Sequence, residues 1–363
     1  MSKAKCLNPN TAWYCGVIRS KQDGVWSPRL VFSPGEVMRY ANRIGVPPDR
    51  YMDANAVAVP CGKCMACRIR KRRDQATRLV HESSVHGDDC CFVTLTYNDD
   101  NVPVTDKSTL DSDFKVVDRG VGKLPLQTLL VSDVQRFVKR LRRHLEYVPK
   151  SASRRVGRDH LTTPIRYFVV GEYGSKYRRP HYHLMIFGWR PSDMTFWERL
   201  HGHAIYRSAQ VEKLWTHGFS TVAPVTGAVA RYCARYVTKK YARLANDSDP
   251  YKDCVWPEFT LQSIKHGAIG APWFDRNYQV IMDSGYCQIA LGTQAGYYKV
   301  PIPTYYMRRA RKYHLCRWLQ LRDERMYLAS SAPPMSDDAY EDLVRSCNVF
   351  AHRERDAQQR ELF

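Results

Sequence analysis

The chain has 363 residues, 44% of them hydrophobic, which is enough to build one large core or two smaller ones and excludes a disordered tail protein. Lys and Arg total 56 against 36 Asp and Glu, a net charge of +20, so the expected partner is a polyanion whose neutralised phosphates release counterions. No apolar stretch approaches the roughly 18 residues of a bilayer span, and the opening MSKAKCLNPN has no signal-peptide apolar region, which points away from membranes and toward the cytoplasm. In a reducing compartment the twelve cysteines are expected to be thiols or metal ligands rather than a disulfide framework.

In chain order, residues 1–60 carry turn formers and short apolar stretches without a clear period. Cys61, Cys64 and Cys67 form C-x-x-C-x-x-C, a spacing suited to thiolate ligation of a structural zinc with Cys6 or Cys15 as fourth ligand. Clustered buried thiols on one helical turn, or an iron–sulfur site, are the alternatives. A helix is predicted over 64–84, and its Arg68, Arg70, Lys71, Arg72 and Arg73 form a basic run expected to contact DNA phosphates.

Residues 92–97, FVTLTY, read as a strand by their β-branched and aromatic content, and 98–128 as a long loop. Ser132 and Gln135 make a capping-box pattern ahead of Val134, Phe137, Val138, Leu141 and Leu145, an apolar stripe at helical spacing. Arg136, Lys139, Arg140, Arg142 and Arg143 take the opposite side, and 149–164 read as a basic loop. Two apolar runs, 165–170 and 183–187, are predicted to pair as strands across a long loop, GEYGSKYRRP. A short helix over 209–216, a strand over 219–225 and a helix capped by Thr226 and running to about 244 follow. Strands and helices mix without strict alternation, which predicts an α+β fold with a central antiparallel sheet and helices on a face. The expected organisation is a Cys-rich segment with a basic helix over 1–90, a catalytic core over 91–245 and a partly helical extension over 246–363.

His181 and His183 stand at i and i+2 of a predicted strand, so their imidazoles share a face while Tyr182 points into the other layer. Two imidazoles and a carboxylate can hold a divalent ion, and Glu172 is the better placed carboxylate, with Glu82 the alternative. Without such a ligand the pair would be two satisfied strand histidines. Tyr232 and Tyr236 lie four apart on a predicted helix, on one face, where both hydroxyls could address one phosphate. Lys239 and Lys240 follow and could stabilise a phenolate or a leaving alkoxide. Amphipathic packing is the competing explanation for the tyrosine pair. Tyr173 and Tyr177 share the same spacing but fall in the predicted loop.

The segments FVTLTY (92–97), GEYGSKYRRPHYHLMIFG (171–188) and YCARYVTKK (232–240), in that order, resemble the three motifs of HUH endonucleases of the rolling-circle replication type. With CGKCMACR (61–68) and GAIGAPWFDRN (267–277), the chain looks more narrowly like the replication initiators of gokushovirus-like Microviridae phages. The resemblance covers most of 6–310, and residues 311–363 add nothing to it. It implies a ferredoxin-like, RRM-like core and Mg²⁺ or Mn²⁺ held by His181, His183 and an acidic or amide residue. It also implies that Tyr232 and Tyr236 are nucleophiles that nick single-stranded DNA at a replication origin. No G-x-x-x-x-G-K-[ST] phosphate loop occurs in the sequence, so a host helicase and a host DNA polymerase are the expected partners, in the cytoplasm of a bacterial host. An HUH transposase or relaxase would use the same chemistry. A non-catalytic RRM-like binder would instead stack bases on Phe92, Tyr97 and Tyr182.

Overall fold

A computed structural model describes residues 6–19, 26–105, 126–146, 165–174, 178–200, 202–244, 255–265, 267–290, 296–331 and 336–360. The chain divides into two compact units, Met1–Lys71 with Met307–Asp356, and Arg72–Tyr306 with Ala357–Phe363. The basic loop expected over 149–164 lies outside the described residues.

The first unit opens with β1 (Asn10–Arg19), β2 (Trp26–Val31), α1 (Pro34–Arg43), α2 (Pro48–Asn55) and β3 (Ala56–Val59). The strands form an antiparallel sheet in the order β2-β1-β3. Trp13, Cys15, Val31 and Val37 make a small buried core, with Tyr40, Tyr51 and Met52 packed on it. The register of β1 slips between Tyr14 and Val17, at Gly16 with φ +74°. That irregularity breaks the period-two signal and explains why the sequence shows no strand here.

Next come α3 (Met65–His86) and the elements of the second unit. These are β4 (Cys90–Tyr97), β5 (Val104–Thr105), β6 (Leu126–Gln127), α4 (Val131–Glu146), β7 (Arg166–Tyr173) and β8 (Pro180–Phe187). They continue as β9 (Thr195–Leu200), β10 (His203–Arg207), α5 (Ala209–Leu214), β11 (Gly218–Pro224), α6 (Gly227–Leu244), β12 (Phe259–Gln262), α7 (Ala271–Ser284), β13 (Tyr286–Ala290) and β14 (Tyr297–Pro301). Helices α8 (Thr304–Tyr313), α9 (Leu315–Ser331) and α10 (Asp337–Arg360) follow, so the C-terminal extension is helical. No helix among the described residues is long and apolar enough to cross a membrane.

The fold is α+β. Its main sheet has seven antiparallel strands in the order β12-β7-β8-β4-β11-β10-β9. Alternation sorts the side chains into two layers. Cys91, Val93, Leu95 and Tyr97 of β4, with Tyr182, Leu184 and Ile186 of β8, pack against Phe137 and Leu141 of α4 and Leu214 of α5. The opposite face carries Cys90, Val170, Met185 and Phe187, covered by Leu79 of α3 and Ala230, Cys233 and Ala234 of α6. Helices therefore cover both faces of the sheet rather than one. The reason is that β7 and β8 are buried along nearly their whole length on both sides, which a one-sided layer cannot achieve.

Two local expectations change. Helix α4 begins at Val131, and the Ser132 hydroxyl bonds the Asp133 carboxylate at 3.4 Å instead of capping a backbone amide. Thr226 does cap α6, accepting from the Val229 amide at 3.2 Å. The predicted long loop between β7 and β8 shrinks to residues 174–179, because Gly171, Glu172 and Tyr173 continue the strand. Gly171 is needed there: a Cβ would lie 2.6 Å from the Phe259 ring of the neighbouring strand.

Candidate metal and tyrosine site

The extension of β7 builds the site. In its register with β8, Glu172 pairs with His181 and Val170 with His183. Both histidines and Glu172 therefore share the layer covered by α3 and α6, while Tyr182 lies fully buried in the other layer. Glu172 Oε1 lies 3.0 Å from His181 Nε2 and 2.7 Å from His183 Nε2. One ligand atom from each of the three residues falls within 4.8 Å of the others.

The remaining ring nitrogens are anchored. His181 Nδ1 lies 3.1 Å from the Arg179 carbonyl oxygen, which only accepts, so Nδ1 carries the proton and Nε2 is free to be a ligand. His183 Nδ1 lies 3.1 Å from Thr94 Oγ1, and the Phe92 ring stacks on the His183 imidazole at 5.5 Å. Burial pushes the Glu172 carboxyl up, but the hydrogen bonds to His181 and His183 outweigh it and hold it well below the usual carboxylate range. Two oriented imidazoles and one ionised carboxylate converging on a point fit a divalent ion, and two nitrogens suit Mn²⁺ better than an all-oxygen Mg²⁺ cage.

Helix α6 brings Tyr232 to the same point. Its hydroxyl lies 3.2 Å from Glu172 Oε1 and 3.2 Å from His183 Nε2. The Arg235 guanidinium sits 6.0 Å from the Tyr232 ring centroid. Tyr236, Lys239 and Lys240 lie on the same helix, one to two turns further on, and their side chains fall outside the described residues.

Other residues singled out by the sequence go elsewhere. Glu82, the alternative carboxylate, is bound by Arg166 and by the Gly270 amide, so it holds the 267–270 turn and stays out of the cluster. Tyr173 is buried at the end of β7, donating to the Trp256 carbonyl at 2.7 Å, and Tyr177 lies outside the described residues. Tyr97 and Tyr182 are fully buried, with hydroxyls 2.8 Å apart, and Tyr97 donates to Asp133 at 2.7 Å, so neither ring can stack a base. Of the basic run, Arg73 is exposed, whereas Arg68, Arg70, Lys71 and Arg72 are half-buried. Thr94 and Phe92 were missed as site residues, although their even-numbered positions on β4 share one face.

The cysteines form a second cluster, in the first unit. Sulfur atoms of Cys6, Cys61, Cys64 and Cys67 all lie within 4.8 Å of one another. Cys15 is instead part of the small core beside Trp13.

A family model for replication-associated proteins of the ORF2 type matches residues 90–241, which span every residue of the Glu172–His181–His183–Tyr232 site. The replication-associated protein VP4 of Bdellovibrio phage phiMH2K is 33% identical over 264 residues, 72% of this chain and 70% of the phage protein. The chain belongs to this family of phage replication-associated proteins. Replication-associated protein ORF2 of Spiroplasma virus 4 is 27% identical over 282 residues, covering 77% of this chain and 73% of its own length. Replication-associated protein ORF4 of Chlamydia phage 1 is 29% identical over 188 residues, half of this chain and 38% of its own. No solved structure matches. For a replication-associated protein the excess of 20 positive charges has a natural counterpart in DNA.

Proposed function

We propose that this replication-associated protein nicks single-stranded origin DNA by tyrosine transesterification, initiating rolling-circle replication in the cytoplasm of a bacterial host. The carrying observation is the Tyr232 hydroxyl, 3.2 Å from both Glu172 Oε1 and His183 Nε2. A phenol fixed beside an ion site can meet a phosphate in the same place without a diffusional search. The central placement of β8 in an antiparallel sheet supports an HUH-type, ferredoxin-like core, with residues 91–245 carrying the chemistry.

Glu172, His181 and His183 would hold Mg²⁺ or Mn²⁺, which when bound supplies Lewis acidity toward a non-bridging phosphate oxygen. Tyr232 gives up its proton and its oxygen forms a bond to phosphorus. The bond from phosphorus to the 3′ oxygen breaks, and that oxygen takes up a proton. The products are a 5′-phosphotyrosine and a free 3′-OH for a host polymerase, with a host helicase opening the duplex. Tyr236, one helical turn along α6, attacks the regenerated origin later, and Lys239 and Lys240 offset charge on the phenolate and alkoxide oxygens. Phosphodiester exchange conserves the bond energy, so circle release needs no nucleotide.

The test is a labelled single-stranded origin oligonucleotide incubated with the full chain and Mn²⁺. An SDS-stable adduct is expected, and peptide mapping should place it on Tyr232 or Tyr236. An adduct on any other residue, or cleavage without an adduct, overturns the reading.

A further inference from the structure

We propose that Cys6, Cys61, Cys64 and Cys67 form a structural zinc site that closes the N-terminal lobe, separate from the nicking centre in chemistry and in purpose.

The backbone assembles this cluster. Strand β1 pairs with β3 so that Asn10 faces Val59. Continuing that register toward the N-terminus sets Cys6 level with Lys63, flanked by Cys61 and Cys64. The first turn of α3 then carries Cys67 to the same point. Cys6 Sγ lies 3.5 Å from Cys61 Sγ, 3.6 Å from Cys64 Sγ and 3.6 Å from Cys67 Sγ. Zinc–sulfur bonds of about 2.3 Å at tetrahedral angles would put sulfurs about 3.8 Å apart. A disulfide needs about 2.05 Å, and all four cysteines are free.

The surroundings suit thiolates rather than packed thiols. The Cys61 amide donates to Cys6 Sγ at 3.3 Å, and the Lys63 and Cys64 amides donate to Cys61 Sγ at 3.4 and 3.3 Å. Gly62, at φ +74°, lets the chain turn between the ligands. The Cys64 thiol is lowered to about 6, where it is ionised at neutral pH: burial opposes the shift, but bonds from the Cys67 and Leu7 amides and from the Cys61 and Cys67 thiols outweigh it. A tetrathiolate zinc carries two net negative charges, and Lys63, Arg68 and Lys71 surround the motif in sequence. Lys71 Nζ donates to the Gly62 carbonyl at 3.0 Å, bracing the turn that holds the sulfurs.

Four protein ligands leave no open position, so the ion would be structural rather than catalytic. Its ligands span Cys6 to Cys61, enclosing β1, β2, α1, α2 and β3. That lobe buries only Trp13, Cys15, Val31 and Val37 in its core, and a core so small is the kind that a metal staple completes. Binding needs no redox partner: the thiols release protons as the ion binds.

Full-length protein purified without chelator should contain about one zinc per chain by elemental analysis. The zinc should persist in His181→Ala/His183→Ala and in Cys15→Ser, and be lost in Cys64→Ser. Replacement by Co²⁺ in the wild-type chain should give intense sulfur-to-cobalt charge-transfer bands with tetrahedral d–d bands, a readout that survives even if Cys64→Ser fails to fold. Stripping the metal should open residues 6–61 to limited proteolysis. Stoichiometric iron in place of zinc, zinc that leaves with the histidines, or a cobalt spectrum without thiolate bands would overturn the proposal. None of these readouts depends on DNA cleavage.

Discussion

The two ligand clusters are assembled in opposite ways. Glu172, His181 and His183 sit on adjacent strands, two to eleven residues apart in sequence, in the doubly covered middle of a seven-stranded sheet. Their positions follow from register and alternation, and register is strongly fixed when both faces are buried. Cys6 joins its partners across 55 to 61 residues of chain, at the edge of a lobe with a small core. The first cluster has three ligands of mixed type with a tyrosine hydroxyl alongside. The second has four ligands of one type. A site that must perform chemistry is set rigidly before any ion arrives, whereas a site that serves folding can leave its geometry to the ion. Metal removal should therefore have opposite consequences: the sheet stays folded and binds DNA without its ion, and the N-terminal lobe does not stay closed.

The largest expected effects are on the rigid site. The double variant Tyr232→Phe/Tyr236→Phe keeps both rings and their packing, so its circular dichroism and melting should match wild type, while the covalent adduct disappears. At least one single variant should still form the adduct, and both should release less circular product. An adduct in the double variant would remove α6 from the chemistry. His181→Ala or His183→Ala should lower nicking by more than the roughly hundredfold that loss of an outer-shell partner brings. Binding to the same oligonucleotide should change little, because phosphate affinity comes from the basic surface. Wild-type cleavage by either variant at low Mn²⁺ would break the comparison at its first term.

A sheet folded independently of its ion should have an acid limit set by its own buried groups. His81 stacks on Trp273 at 3.4 Å and bonds Tyr306 and Gln288, and burial lowers its imidazole to about 4. The unfolded chain protonates near 6.5, so this contribution is intact above pH 6.5 and is lost as pH falls from 6.5 to about 4. The loss is at most about 3 kcal/mol. Urea titrations of wild type and His81→Gln across that range should converge as pH falls. Parallel curves would mean that His81 does not limit the unit.

Thr94→Val should have a smaller effect. The substitution keeps the shape of the side chain and removes the oxygen 3.1 Å from His183 Nδ1. Half-maximal nicking should then require about tenfold more Mn²⁺, with the maximal rate largely retained. An unchanged metal requirement would mean that Phe92 stacking alone orients the ring.

The histidine pair, its shared face and the opposite orientation of Tyr182 were legible because a strand has period two. Glu172 was legible as a neighbour but not as a strand residue, since Gly171 reads as a loop former until the Phe259 ring is seen to occupy the space of its Cβ. Thr94 needed the register of β4 against β8, which no single strand reveals. The β9–β10 hairpin went unread because β9 is exposed along both faces, with Phe196 and Trp197 outward, so alternation carries no signal there. The choice between Cys6 and Cys15 was undecidable from spacing. It depends on the β1–β3 pairing, and the slip at Gly16 hides β1. Glu82 and Glu172 look alike in sequence, and only Arg166 across the helix–sheet contact separates their roles.

The smallest effect concerns the basic run that begins α3, where the two regions compete for the same residue types. Arg73 is exposed, whereas Lys71 is half-buried and donates to the Gly62 carbonyl inside the cysteine turn. The run should therefore divide by task. Arg73→Ala should weaken single-stranded DNA binding and lower the steepness of its log–log salt dependence by about 0.7, the value of one phosphate contact. It should leave metal content unchanged. Lys71→Ala should do the reverse, speeding zinc loss to a competing chelator while the salt slope stays within error of wild type. The two measurements, run on both variants, separate charge that neutralises DNA from charge that supports a thiolate cluster. If Lys71→Ala flattens the salt slope and Arg73→Ala does not, the run is assigned backwards and the DNA path follows the buried side of the helix. If neither variant changes the slope, the phosphates are held elsewhere, and Arg136, Lys139, Arg142 and Arg143, all exposed on α4, become the residues to substitute next.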